Sequence, residues 1–208
     1  MSIFTSETIY WIIFAIPSII IASTVHEYAH AWTATKLGDY TAKAEGRLTL
    51  NPLSHIDPIG ALCMVIFHFG WSKPVPINEY NFNNRARDTA LVSLAGPLSN
   101  ILLLLITALF NYMFKSSAGS LLLIFLFTFG MINAVLAIFN LLPIPPLDGH
   151  KIVSGMLPRG MRYYWDNLAK YSIILIIILM APVFPFGSIA SLIINSIMSR
   201  ILLLLGFL

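Results

Sequence analysis

Two histidines four residues apart, with a glutamate beside the first, close an almost wholly apolar run: residues 23–32 read STVHEYAHAW. An ionisable side chain at mid-bilayer costs about 2.5–3.5 kcal/mol on insertion scales, so such groups face a bundle interior or a wet cavity and pair there. Any fold this chain adopts has to enclose these three side chains. Composition places the enclosure in lipid. Of 208 residues, 58% are hydrophobic and 10% charged, with a mean hydropathy of +0.83, whereas a soluble domain carries about 25% charged residues. Several apolar runs approach the roughly 20 residues needed to cross a hydrocarbon core. The chain therefore reads as an all-α polytopic membrane protein, a single domain over residues 1–208 with the lipid bilayer as its surroundings. The lone Cys63 excludes an internal disulfide. A net charge of +3 is what membrane proteins acquire by gathering Lys and Arg on the cytoplasmic side, and no nucleic-acid partner is expected.

The first helix is expected over about residues 8–36. No basic region precedes it and its apolar stretch is too long for a signal-peptide core, so it reads as a retained span. Further spans are expected over 86–114 and 120–142, and two more within 171–208, divided at APVFPFG (181–187), where two prolines and a glycine favour a turn. Residues 56–70, IDPIGALCMVIFHFG, have an apolar core of only about 13 residues, which suits a re-entrant segment. Charge asymmetry offers an independent check. If 56–70 does not cross, Lys36, Lys43, Arg47, Lys73, Arg85, Arg87, Lys151, Arg159, Arg162 and Lys170 share one side and only Lys115 lies opposite. If it crosses, the loops split four against seven. The positive-inside rule selects the first arrangement, with the N-terminus outside. Residues 38–50, GDYTAKAEGRLTL, alternate between turn residues and short pieces that suggest β-structure at the membrane face. The expected architecture is five transmembrane helices, a re-entrant segment and a small membrane-associated β element, with a core of about 8–150 followed by two C-terminal helices.

His26, Glu27 and His30 form H-E-x-x-H. On a helix, positions i and i+4 lie about 40° apart on one face, so both imidazoles can reach one metal ion. Glu27 sits on the flank, where it can contact a water on that metal. This is the zincin arrangement, in which the metal lowers the pKa of the water to about 7 and the glutamate takes its proton. The competing reading is structural, with Glu27 bridging to a histidine or basic residue to pack helices.

Two histidines do not complete a hydrolytic site, because catalytic zinc takes three protein ligands and leaves a fourth position for water. His26 lies about 17 residues, roughly 25 Å, along the first span, so the third ligand should arrive at the same end of another span. Asp148, in FNLLPIPPLDGHK, meets that condition in the five-span topology and not in the six-span one. Taken alone, PIPPLDG is an ordinary helix-terminating loop. Asp57 and His55 compete as ligands but suit capping and turn roles better. His68 reads as a packed or interfacial histidine, and His150, two residues beyond Asp148, is a candidate to support it without a role fixed by the sequence.

HEYAH, GRLTLNPLSHIDPIG, GWSKPVPIN, LAGPLSN and NLLPIPPLDG occur in order over residues 23–149, and together they resemble the site-2 proteases, intramembrane zinc metalloproteases. The likeness is to the short prokaryotic members without PDZ or CBS domains. It implies one zinc ion held by His26, His30 and Asp148, with Glu27 as general base. It implies hydrolysis of a peptide bond within or beside a substrate's transmembrane helix, near the cytoplasmic side of a prokaryotic cell membrane. Asn100 and Asn140 match positions that support substrate or transition state, although either would also serve as an interhelical hydrogen-bond partner. Residues 73–78, KPVPIN, resemble the substrate-holding region. One departure bears on substrate entry: longer members carry a helix before the H-E-x-x-H helix.

Two other classes compete. Some metal transporters carry H-E-x-x-H on a membrane helix, but they need further ligands on a neighbouring span. Here 86–142 offers Asp88, Asn100, Asn111, Asn133 and Asn140 and no histidine. A silent helix-binding scaffold would have no chemical need for Glu27, both histidines and Asp148 together.

Overall fold

The computed structural model describes residues 9–67, 70–114, 119–181 and 187–205. Glu7, His68, Lys115 and most of the turn expected at 181–187 fall outside them. A π-helical turn over Trp11–Ala15 leads into α1 (Ile16–Lys36), and then follow α2 (Thr41–Ala44), α3 (Pro58–Phe67), α4 (Arg85–Phe114), α5 (Ser120–Leu141), α6 (Asp148–Met156), α7 (Arg159–Asp166), α8 (Ser172–Met180) and α9 (Ile189–Leu204). Helix thus dominates, as composition implies. Among the described residues, three stretches are long and apolar enough to cross a membrane: Ile12–Lys36, Arg85–Phe114 and Ser120–Leu141. The two spans expected at the C-terminus are not found at that length among the described residues. α9, with 16 residues, extends about 24 Å against a hydrocarbon core of about 30 Å, and α8 has only 9 residues.

α4 is the hub, packing against α1, α5 and α6, while α1 also touches α5. Its buried positions include Thr89, Ser93, Gly96, Asn100, Leu104, Thr107 and Asn111, a helical stripe that is mostly small or polar. The opposite face carries exposed Leu98, Leu102, Leu105 and Leu109. This inverts the amphipathic pattern of a soluble helix. Lipid solvates leucine as well as another helix does, so association depends on close packing of small residues and on interhelical hydrogen bonds. Ala22, Ala31 and Ala34 of α1 are fully buried for the same reason. Leu104 of that stripe also joins an apolar cluster with Ala134, Met198 and Leu202, which links α4, α5 and α9.

The β element expected within 38–50 is not found, and no sheet is present among the described residues. The segment instead folds around α2, for two local reasons. Asp39 Oδ1 accepts from the Thr41 backbone N–H at 3.1 Å and from its hydroxyl at 2.5 Å, which starts the helix. Gly46, with φ +68°, ends it: Gly46 N–H bonds the Lys43 carbonyl and Arg47 N–H the Ala42 carbonyl, a Schellman closure. Extended structure does occur nearby, where an isolated antiparallel bridge pairs Ile56 with Ser72. The expected re-entrant stretch holds α3, a helix of 10 residues. Asp57 Oδ1 accepts from Gly60 N–H at 2.8 Å, the capping role its position before Pro58 suggested.

Asp39 also ties α2 to the loop preceding α4, accepting from Asn78 N–H and Asn81 Nδ2, each at 2.8 Å. Burial alone would raise its pKa, but the hydrogen bonds from Thr41, Asn81 and Asn78 outweigh that and hold it below the ordinary carboxylate value. A depressed folded-state pKa contributes stability above the unfolded pKa of about 3.9, and the contribution is lost as pH falls through the folded value. Asp39→Ala should therefore lower unfolding free energy at pH 7 by about 2–4 kcal/mol, since several hydrogen bonds to a charged group are removed. In denaturation of the detergent-solubilised protein, that difference from the parent should shrink steadily below pH 4.

Candidate metal centre

The third and fourth turns of α1 carry His26, Glu27 and His30, all buried. α4 runs antiparallel to α1 behind them: Asn100 lies against His26 and Val92 against His30. Each imidazole uses Nδ1 on this wall. His26 Nδ1 is 2.6 Å from Asn100 Oδ1, and His30 Nδ1 is 2.8 Å from the Val92 carbonyl oxygen. The Asn100 amide orientation follows from its other contacts, since Nδ2 donates to the Ala22 carbonyl at 3.2 Å and to Asn133 Oδ1 at 3.0 Å. Both acceptors therefore require Nδ1–H, which leaves a lone pair on each Nε2. Pro97 cannot donate to the Ser93 carbonyl, which loosens the helix ladder beside Val92.

Gly96 lets the rings approach the α4 backbone. A Cβ there would stand 2.5 Å from His30 Nε2 and 2.6 Å from His26 Nε2. Asp148 reaches the same point from the first position of α6. Its carboxylate arrives by a fold-back of α6 on the end of α5, a close approach that Gly149 permits. A Cβ on Gly149 would meet the Leu141 and Leu142 carbonyl oxygens, each at 2.3 Å. α6 is in turn clamped to α7, where His150 Nε2 contacts the Trp165 carbonyl at 3.1 Å, Trp165 Nε1 donates to the His150 carbonyl at 2.9 Å, and the two rings stack.

The three donor atoms form a nearly equilateral triangle. His26 Nε2 and His30 Nε2 are 3.0 Å apart, and Asp148 Oδ2 lies 3.2 Å and 3.3 Å from them. Three ligands at about 2.0–2.1 Å from a tetrahedral metal would be separated by about 3.3 Å. Asp148 Oδ2 is buried with no hydrogen-bond partner. With both Nδ1 atoms protonated, three lone pairs converge with no proton between them, an arrangement that a cation relieves. The residues present therefore fit a metal ion.

Glu27 points elsewhere, as its flank position requires. Its Oε1 accepts from Ser72 Oγ at 2.8 Å and its Oε2 from Val75 N–H at 3.0 Å. Asn140 turns its amide to its own helix, donating to the Leu136 carbonyl at 3.0 Å. His55 is buried with Nε2 against the Thr49 carbonyl, and neither it nor Asp57 joins the donor triangle. Gly96 and Ser72 were not singled out from sequence, and Asn133 was named only among the polar residues weighed for a transporter. For Gly96 a signal existed: it stands four residues before Asn100, on the same helix face, and a glycine within a span marks a close approach.

An H-E-x-x-H helix and a distant aspartate, converging within apolar helices, define a membrane-embedded metallohydrolase type of site. Comparison with known proteins agrees. Residues 110–184 match the model of peptidase family M50; this stretch contains Asp148 but not His26 or His30. Over 180 residues the chain is 38% identical to the Bacillus subtilis protein named “Putative zinc metalloprotease YwhC”, covering 82% of this chain and 80% of that one. It is 30% identical over 165 residues to Mycolicibacterium smegmatis “Putative zinc metalloprotease Rip2”, covering 76% of this chain and 63% of that one. It is also 30% identical over 132 residues to Methanocaldococcus jannaschii “Putative zinc metalloprotease MJ0611”, covering 62% of each. The chain thus spans four fifths of the first relative and under two thirds of the other two. No solved structure matches it. The chain belongs to peptidase family M50, the site-2 protease family that its five motifs resemble.

Gly96→Ala should displace both imidazoles, dropping metal content of the purified protein from near one per chain to well below half, as measured by plasma mass spectrometry. Asn100→Ala should leave the fold intact and weaken metal affinity by about 10–100-fold, the usual effect of removing a ligand's outer partner. Competition with a chelator measures it.

Proposed function

We propose that the chain is an intramembrane zinc endopeptidase, hydrolysing a peptide bond within or beside a substrate's transmembrane helix near the cytoplasmic face of a prokaryotic membrane. The observation that carries this reading is the triangle of His26 Nε2, His30 Nε2 and Asp148 Oδ2, with the Glu27 carboxylate one residue from the first ligand. The three would hold zinc, which supplies Lewis acidity to a scissile carbonyl and acidifies water.

The remaining chemistry belongs to the protein. Glu27 accepts the proton of the attacking water and returns it to the nitrogen of the departing amine. Ser72 and Val75 occupy one site on each Glu27 oxygen, and a carboxylate has about four acceptor sites, so capacity for that proton remains. Asn100 keeps His26 in the tautomer that presents Nε2. Asn140, whose Nδ2 is bound to Leu136, offers its Oδ1 to a substrate. A helical substrate hides its carbonyls in i→i−4 bonds and has to unwind locally before attack. The run at 73–78 lies beside Glu27 and would meet the unwound piece through its carbonyls, since Pro74 and Pro76 have no N–H and those of Lys73, Val75 and Asn78 are already bonded. The side of the membrane rests on the charge pattern of the sequence, in which ten Lys and Arg residues fall in segments that share one side if 56–70 does not cross.

Glu27→Gln keeps shape and removes the base. The variant should retain about one zinc per chain while cleavage of synthetic single-span peptides falls by about 10²–10⁴-fold. Cleavage at the parent rate would remove Glu27 from the reaction.

A further inference from the structure

Glu27 is buried beside the two imidazoles, and a carboxylate that is to act on a group between them needs a fixed orientation. α1 does not supply it. Both of its oxygens are taken by a segment 45 and 48 residues further along the chain. That segment reads W-S-K-P-V-P-I-N from Trp71 to Asn78, and its construction is specific to presenting two donors. Pro74 and Pro76 lack N–H groups, so Val75 is the sole backbone donor of the P-V-P triplet, and it points at Glu27 Oε2. Each proline fixes its own φ and biases the residue before it to extended backbone. Lys73 and Val75 are thereby held in the conformation that aims Val75 N–H.

The segment is also anchored on the side away from Glu27. Lys73 N–H donates to the His55 carbonyl at 2.8 Å, and Arg47 Nη2 donates to the Lys73 carbonyl at 2.7 Å. Gly60 lets α3 press on the Trp71 backbone, where a Cβ would stand 2.2 Å from the carbonyl oxygen. Asn78 N–H is bound to Asp39. The pair of donors is therefore set before any substrate arrives.

We propose that the Ser72 hydroxyl and the Val75 N–H form a two-donor clamp that positions the Glu27 carboxylate, making Ser72 a positioning residue for the general base. The inference rests on the role assigned to Glu27 above. A rigid extended segment has a backbone reason to supply the Val75 donor, whereas the Ser72 donor is a side chain and can be removed alone. Without it the carboxylate keeps one anchor and rotates about its terminal bond, and a small misplacement of a reacting group lowers turnover more than binding.

The test has a readout that does not depend on turnover. In protein labelled with ¹³C at the glutamate carboxyl, the infrared carboxylate band that disappears in Glu27→Gln belongs to Glu27. Ser72→Ala should shift that band, with zinc content unchanged. In single-span peptide cleavage its kcat should fall about 10-fold with KM within about 2-fold of the parent. Ser72→Thr, which keeps the hydroxyl, should restore both the band and kcat. A band unmoved in Ser72→Ala, an unchanged kcat, or zinc lost together with activity would overturn the clamp. Parent-rate cleavage by Glu27→Gln would instead overturn the role of Glu27, so the two failures are told apart.

Discussion

The hydrogen bonds from His26 Nδ1 to Asn100 and from His30 Nδ1 to the Val92 carbonyl are the contacts on which the site depends. An imidazole has two nitrogens with opposite roles, and the partner of one decides what the other offers. Because α4 takes the N–H of each ring, both lone pairs point to the same place. The requirement reaches beyond the pair. Asn100 holds its orientation only because Ala22 and Asn133 accept from it, and Asn133 is in turn bound to the Phe129 carbonyl. One polar chain thus runs from α1 through α4 to α5 within the apolar bundle.

The same economy of donors explains the placement of the helices. Close packing of α1 on α4 relies on Gly96 and the buried alanines, and the approach of α6 to α5 relies on Gly149. These positions are small because main chain and ring meet there directly. The clamp between His150 and Trp165 secures α6 from the opposite side, so the helix bearing Asp148 is held at both faces. Metal binding accordingly needs no large rearrangement of the backbone.

Much of this was legible in the residues. H-E-x-x-H depends on helical period alone, and Asp148 follows from depth once the charges settle which helix ends share a side. What was hidden lies in contacts between distant segments. Nothing local marks Ser72 as a partner of Glu27, because that contact forms only after 45 intervening residues fold back. The β reading of residues 38–50 failed differently. The turn residues there were recognised, but Gly46 is the terminator of a one-turn helix capped by Asp39, and alternation in GRLTL outweighed that signal. The C-terminal stretch was judged on apolarity, which measures affinity for lipid and not helix length.

Gly96 has one more implication. Where a side chain would normally separate a metal site from the helix behind it, this site is backed by bare peptide. Mutation can scarcely redecorate a wall made of main chain. Changes in what the site accepts will therefore have to arise on its opposite flank, among the loops between α2 and α4, leaving the metal face constant while selectivity drifts.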